Sequence, residues 1–161
     1  MPYPAWQQGF DALNAPGHRN YWKSHNLAEL SDPVIDAVLA AVERLPSPHA
    51  EVLIAHLGGA IAQVGNDQTA YAHRNAEFVL NIHGHWTEPA HDEAGLAWAR
   101  GLFEEIAPHA TGGAYVNFLS DEGSERVKDA YPPAVWSRLV EVKRRYDPDN
   151  VFRLNQNIPP S

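Results

Sequence analysis

The stretch Ala76–Trp86, AEFVLNIHGHW, alternates apolar and polar residues along most of its length. In an extended strand successive side chains leave opposite faces of the sheet. Phe78, Leu80, Ile82 and Trp86 therefore share one face, while Glu77, Val79, Asn81, His83 and His85 share the other. The first set predicts a sheet face packed on a core. The second predicts a polar face that carries two histidines side by side.

Outward from this strand, the neighbouring segments read as helices and further strands. In LSDPVIDAVLAAVERLP, Ser31 or Asp32 can cap a helix and Pro33 suits its first turn. Val34, Ile35, Val38, Leu39, Val42 and Leu45 then recur at helical spacing until Pro46. Between that helix and the central strand, EVLIAHLGGAIAQV (Glu51 to Val64) predicts a strand, a kink at Gly58 and Gly59, and a continuation or second strand. NYWKSH (Asn20 to His25) can pair as a short strand within an otherwise weakly patterned first 24 residues.

On the C-terminal side, Pro89 opens a helix with Leu96, Ala99, Leu102, Phe103 and Ile106 on one side. Gly112 and Gly113 lead into a predicted strand AYVNFL, and a last helix runs from about Pro133 to Tyr146 with Val135, Leu139, Val142 and Tyr146 inward. Lys143, Arg144 and Arg145 complement the dipole at its end. These elements predict an α+β domain spanning 1–161: an antiparallel sheet of about four or five strands with three main helices packed on one face. Residues 147–161, with Asn155, Gln156 and Asn157 between Leu154 and Ile158, read as a docking tail, because a dense run of amides needs paired donors and acceptors; on the residues alone a strap satisfying backbone groups of its own domain is the simplest form of it.

Composition narrows the function. Twelve basic against twenty acidic residues give a formal charge of -8, which argues against nucleic acid and anionic membrane surfaces as partners. No apolar run reaches the roughly 20 residues of a membrane span, and MPYPAWQQGF lacks the pattern of a signal peptide, so a cytoplasmic protein is expected. Zero cysteines exclude disulfides, thiol nucleophiles and thiolate ligands. Nine histidines are the chemical surplus.

Read in order, GGAI, YAHRNA, the tryptophan before TEPAHDEAGLAWAR, GGAYVNFL and RLVEVKRRYDPDNVFRLNQNIPP resemble the C-terminal part of FAD-linked oxidases of the berberine bridge enzyme type. The resemblance implies that the tail crosses back towards a flavin-binding domain and that the YVN segment approaches the flavin. Tyr115, Asn117, Asn155, Gln156 and Asn157 are then the cofactor-side candidates. It also implies that the flavin-binding half of such enzymes is missing here, as no glycine-rich phosphate loop occurs in the chain. FAD would require a separate flavin-binding partner, and none is expected to stay on the isolated chain. Tyr131 and Pro132 replace a tyrosine-glycine pair often found before the last helix of the family.

His83 and His85 are the candidate catalytic residues, because imidazole accepts protons near neutral pH. The resemblance makes the polar sheet face a substrate surface, with His56, Gln63 and Asn81 as substrate-binding candidates. Gln63 cannot serve as a base. Two histidines are also half of a metal site, but no third ligand is fixed by spacing, and no metal is assigned. His73 and Arg74 read as structural, with Arg74 forking onto a carboxylate or turn carbonyls.

Two functions remain open on the sequence. One is the substrate-binding, flavin-capping portion of an FAD-dependent oxidoreductase, present as a truncated or split-subunit form. The other is a stand-alone protein that uses the sheet face as a small-molecule pocket or a cofactor-free acid/base or metal site. In either form the uncovered sheet face predicts a homo-oligomer or a flavin-binding subunit as partner.

Overall fold

The computed structural model describes all residues except 10, 12–15 and 120–123, and all side chains but those of 124–126 as well. Three strands, β1 (Arg19–Leu27), β2 (Glu51–His56) and β3 (Phe78–Trp86), form one antiparallel sheet in the order β1-β3-β2. The quoted stretch is the central strand. It pairs along its whole length with β1, from Arg19 opposite Trp86 to Leu27 opposite Phe78, and Glu51 of β2 lies opposite His83.

Among the described residues six helices accompany the sheet: α1 (Tyr3–Gln7), α2 (Asp32–Val42), α3 (Ala60–Gln63), α4 (Asp92–Ile106), α5 (Ser124–Asp129) and α6 (Pro133–Tyr146). α4 packs across β1 and β3, and α2 packs on α4 and β2. Leu27, Leu80 and Ile82 of the sheet meet Val34, Ala37 and Ala41 of α2 and Ala99, Leu102 and Ile106 of α4 in the core. The indole of Trp86 lies against Gly95 of α4 and donates to Asp92 at 2.7 Å; a Cβ on Gly95 would sit 2.5 Å from that ring. Glycine is needed there because the helix approaches the tryptophan so closely.

The α+β class with an antiparallel sheet holds, but among the described residues the sheet has three strands rather than four or five. The chain after Gly58 does not continue as a strand. Gly59 adopts a left-handed φ of 66° and starts the single turn of α3. Likewise AYVNFL folds as a 3-10 turn, Val116–Phe118, after Gly112 and Gly113 at φ 82° and 73°. These three glycines with positive φ redirect the backbone where extended pairing was expected.

Two helical faces also differ from expectation. α2 buries Val34, Ala37 and Ala41, and leaves Ile35, Leu39 and Val42 exposed. In α6, Val135 is buried but Val142 and Tyr146 are exposed. The small alanines let α2 approach α4, so the bulkier stripe is turned outward. Trp98 of α4 donates to the Ala41 carbonyl at 3.0 Å across that contact.

The opposite face of the sheet is covered from within the chain. Val79, Asn81, His83 and His85 are all buried, and Trp22 stacks on Phe118 of the 3-10 turn. The tail after α6 is anchored by Asp147, whose carboxylate accepts from Val151 N at 2.7 Å, Phe152 N at 3.0 Å and the Lys143 ammonium. Lys143 therefore holds the Asp147 carboxyl below the usual range against the opposing effect of burial.

Candidate functional site

The buried polar face is built by strand parity. β3 places Asn81, His83 and His85 on it, β1 adds Asn20, Trp22, Ser24 and Asn26, and Glu51 reaches it from β2. His83 and His85 are each 2% exposed and stack at 4.8 Å between centroids, 13° from parallel. Trp22 closes over His83 at 4.1 Å.

Hydrogen bonds assign the ring nitrogens. The Asn20 amide donates to the His18 carbonyl at 3.2 Å, which leaves its oxygen to accept from His83 Nε2–H at 2.9 Å. His83 Nδ1 faces Glu51 at 3.3 Å and is thus the nitrogen at which His83 takes a proton. His85 Nε2 lies 2.6 Å from His18 Nδ1, close enough that one proton is shared between the rings. His49 completes the group, with its ring 5.1 Å from His18 and 5.5 Å from His85.

The electrostatics favour neutral imidazoles. Burial pushes His83 below the ordinary 6.5, against the raising influence of Glu51. Burial also lowers His85, and His83, His18 and His49 lower it further by repulsion. A neutral imidazole is a proton acceptor at neutral pH. Among the described residues no cluster of His, Asp or Glu has the arrangement of a metal centre.

Beside the histidines the face is underfilled in polar terms. Ser24 Oγ, Asn26 Oδ1 and Asn81 Oδ1 are buried without a hydrogen-bond partner. Such groups cost about 1–3 kcal/mol each when left unpaired, so they suit a site that a polar ligand completes. On the same face lies a cavity of about 380 Å³, lined by Ala55, Ile61, Tyr71, Val79, Tyr115 and Phe118. Its walls are mainly apolar and aromatic, with the charged Arg74 also in the lining, the usual make-up of a site for the body of a small molecule.

The sequence candidates separate under this geometry. Asn81, His83 and His85 come together. His56 does not: it pairs with Phe78 on the helix-packed side, 5.2 Å between rings, and is exposed. Gln63 ends the short α3 and is exposed. Tyr115 lines the cavity and accepts from Asn117 Nδ2 at 2.9 Å. Gln156 donates to the Leu119 carbonyl at 2.8 Å, tying the tail to its own chain. Asn155 is exposed at φ 58°, and Asn157 Oδ1 is buried without a partner.

Arg74 is structural, forking onto the carbonyls of Tyr71 and Ile61 and the Thr69 hydroxyl. His18, His49 and Glu51 were not singled out in the sequence. Only the pairing of β1 and β2 with β3 could have found them, since Glu51 lies 32 residues and His18 67 residues from their partners in the chain.

Comparisons with known proteins agree with this architecture. Residues 114–159 match the family model for berberine and berberine-like proteins. The chain is 36% identical over 131 residues to the FAD-linked oxidoreductase YgaK of Bacillus subtilis, covering 81% of this chain and 29% of that protein. Among solved structures, BBE-like 1 of Physcomitrella patens superposes with a TM-score of 0.75 at 26% identity, over 89% of this chain and 31% of that one. Aclacinomycin oxidoreductase gives a TM-score of 0.68 at 25% identity, over 89% and 33%. The chain thus spans under a third of the length of the first of these relatives. With its matching C-terminal motif and shared fold, the chain is a partial berberine bridge enzyme-like domain related to the FAD-linked oxidoreductases.

Proposed function

We propose that this chain is the substrate-binding, flavin-capping portion of an FAD-dependent oxidoreductase and that His85 is its proton acceptor. The observation that carries this is the buried face on which two low-pKa histidines adjoin unpaired Ser24, Asn26 and Asn81 groups. A bound flavin would supply the hydride acceptor. As hydride leaves a substrate carbon with its electron pair, the heteroatom on that carbon loses its proton to His85, and a carbon–heteroatom double bond remains. Asn81 and Ser24 orient the polar end of the substrate, and the aromatic cavity holds its apolar body.

The residues towards the cofactor fit a partial role. Tyr115 and Asn117 form a polar pair at the cavity, and the orphaned Asn157 oxygen can accept a bond from the flavin side. Gln156 is already committed to Leu119. Val151, Phe152 and Leu154 of the tail are exposed by 71%, 81% and 86%, an apolar strip that a flavin-binding portion would cover.

The test is reconstitution with the flavin-binding portion of a relative such as YgaK, reading anaerobic bleaching of the flavin against a panel of alcohols and amines. Bleaching that requires this chain, with His85→Gln slower by about 10²–10⁴-fold, is expected. A loaded complex that bleaches equally fast with His85→Gln would remove His85 from the chemistry. A second reading, a cofactor-free acid/base site, is favoured by the histidine group being complete within this chain. Turnover by the chain alone, without flavin, would select it.

A further inference from the structure

We infer that His18 and His49 form a proton exit path that carries protons from the buried His85 to solvent. This rests on the reading of His85 as proton acceptor. A base on that face must discharge its proton before it can act again, and the ring of His85 is itself shielded from solvent. His85 is 2% exposed, with His83 stacked beside it and Trp22 closing over His83 in turn.

Imidazole can take a proton at one ring nitrogen while releasing one from the other. His85 Nδ1 has no partner among the described residues, whereas Nε2 shares a hydrogen bond with His18 Nδ1 at 2.6 Å. A proton arriving at Nδ1 forms an N–H bond there, the Nε2–H bond breaks, and His18 Nδ1 gains the proton. The positive charge moves from a buried ring to the half-buried His18 and then towards His49, which is exposed and 5.1 Å from it between centroids.

The surroundings favour this direction. The titratable groups around His85 are His83 on its own strand, Glu51 on β2, and His18 and His49 in the loops before β1 and β2. His83 cannot serve as the exit, because its ring stacks face to face on His85 at 4.8 Å instead of sharing a hydrogen bond with it, and its Nε2–H is committed to Asn20. Asn20 also holds the carbonyl of His18, so one amide fixes the relay ring beside the strand.

The experiment follows ring protons by NMR in the chain alone, so it does not depend on flavin or turnover. Exchange of the His85 ring proton with water is measured in the parent chain, His18→Gln and His49→Gln. Glutamine at position 18 can still accept the hydrogen bond from His85 but cannot pass a proton on. The path predicts exchange slower by about a hundredfold in His18→Gln, the low end of what a positioned proton-transfer group contributes, and a smaller slowing in His49→Gln. In His18→Ala, added imidazole should restore the rate. Unchanged exchange in His18→Gln, with backbone spectra showing the same fold, or no imidazole rescue in His18→Ala, would overturn the path. A relay confirmed here together with a failed reconstitution would leave the proton path intact and remove the oxidoreductase reading.

Discussion

His83 and His85 are more readily charged in the unfolded chain than in the fold, because burial disfavours imidazolium. Their lowered pKa values give stability a sign with pH. Below about 6.5 the unfolded state binds protons that the folded state does not, so stability rises with pH across that window. Urea unfolding should therefore give a nearly constant midpoint above pH 7 and a falling one from pH 6.5 towards the lowered folded pKa values. A midpoint that rises on acidification through that range would show that Glu51 outweighs burial. The pair itself was legible from period two, since His83 and His85 must share a face wherever that strand sits. Their partners were not, because Glu51, Asn20 and His18 reach them through pairing between distant segments. His56 fails for the related reason that its parity in β2 sets it opposite Phe78, on the other side of the sheet.

At the scale of elements, hydrophobic period located the helices better than it oriented them. The span of α6, Pro133–Tyr146, and the strand character of Ala76–Trp86 could be read directly. α2 could be found but not turned. Its Val34, Ala37 and Ala41 face the core because alanine permits close approach to Ala99 and Leu102 of α4, while Leu39 points outward. Ala37→Leu should consequently destabilise the domain by about 1–3 kcal/mol through overpacking. Leu39→Ala should stay within about 0.5 kcal/mol, as surface changes do. Chemical denaturation of both variants checks this; the reverse ranking would restore the outward stripe to the core. Strand number was overread because Gly59, Gly112 and Gly113 take positive φ, which a hydrophobic pattern does not register.

The whole molecule joins a buried histidine group and an aromatic cavity on one sheet face to exposed apolar outer surfaces. Its histidine group and cavity are assembled by the three strands and the turn at Phe118. The outer face of α2 and the tail strip at Val151, Phe152 and Leu154 remain apolar and exposed. The tail keeps its own order through Asp147, Gln156 and the bond from Arg144 to the Pro160 carbonyl at 3.1 Å. A strap of the tail onto its own domain was readable from the amide run, whereas the choice of Gln156 to make it was not. The 161 residues contain no glycine-rich loop able to cradle a pyrophosphate. Tyr115, Asn117 and Asn157 offer a few hydrogen bonds, each worth about 0.5–1.5 kcal/mol before the cost of association. The chain alone is therefore expected not to retain a dinucleotide. The central claim, that this chain supplies the substrate side and depends on another portion for the flavin, is tested most directly by the visible absorption spectrum of the freshly purified chain, taken alone and after mixing with a flavin-loaded portion of a relative. The account predicts a colourless chain that acquires the flavin band only on forming the complex, and a stoichiometric flavin band in the chain alone would contradict it.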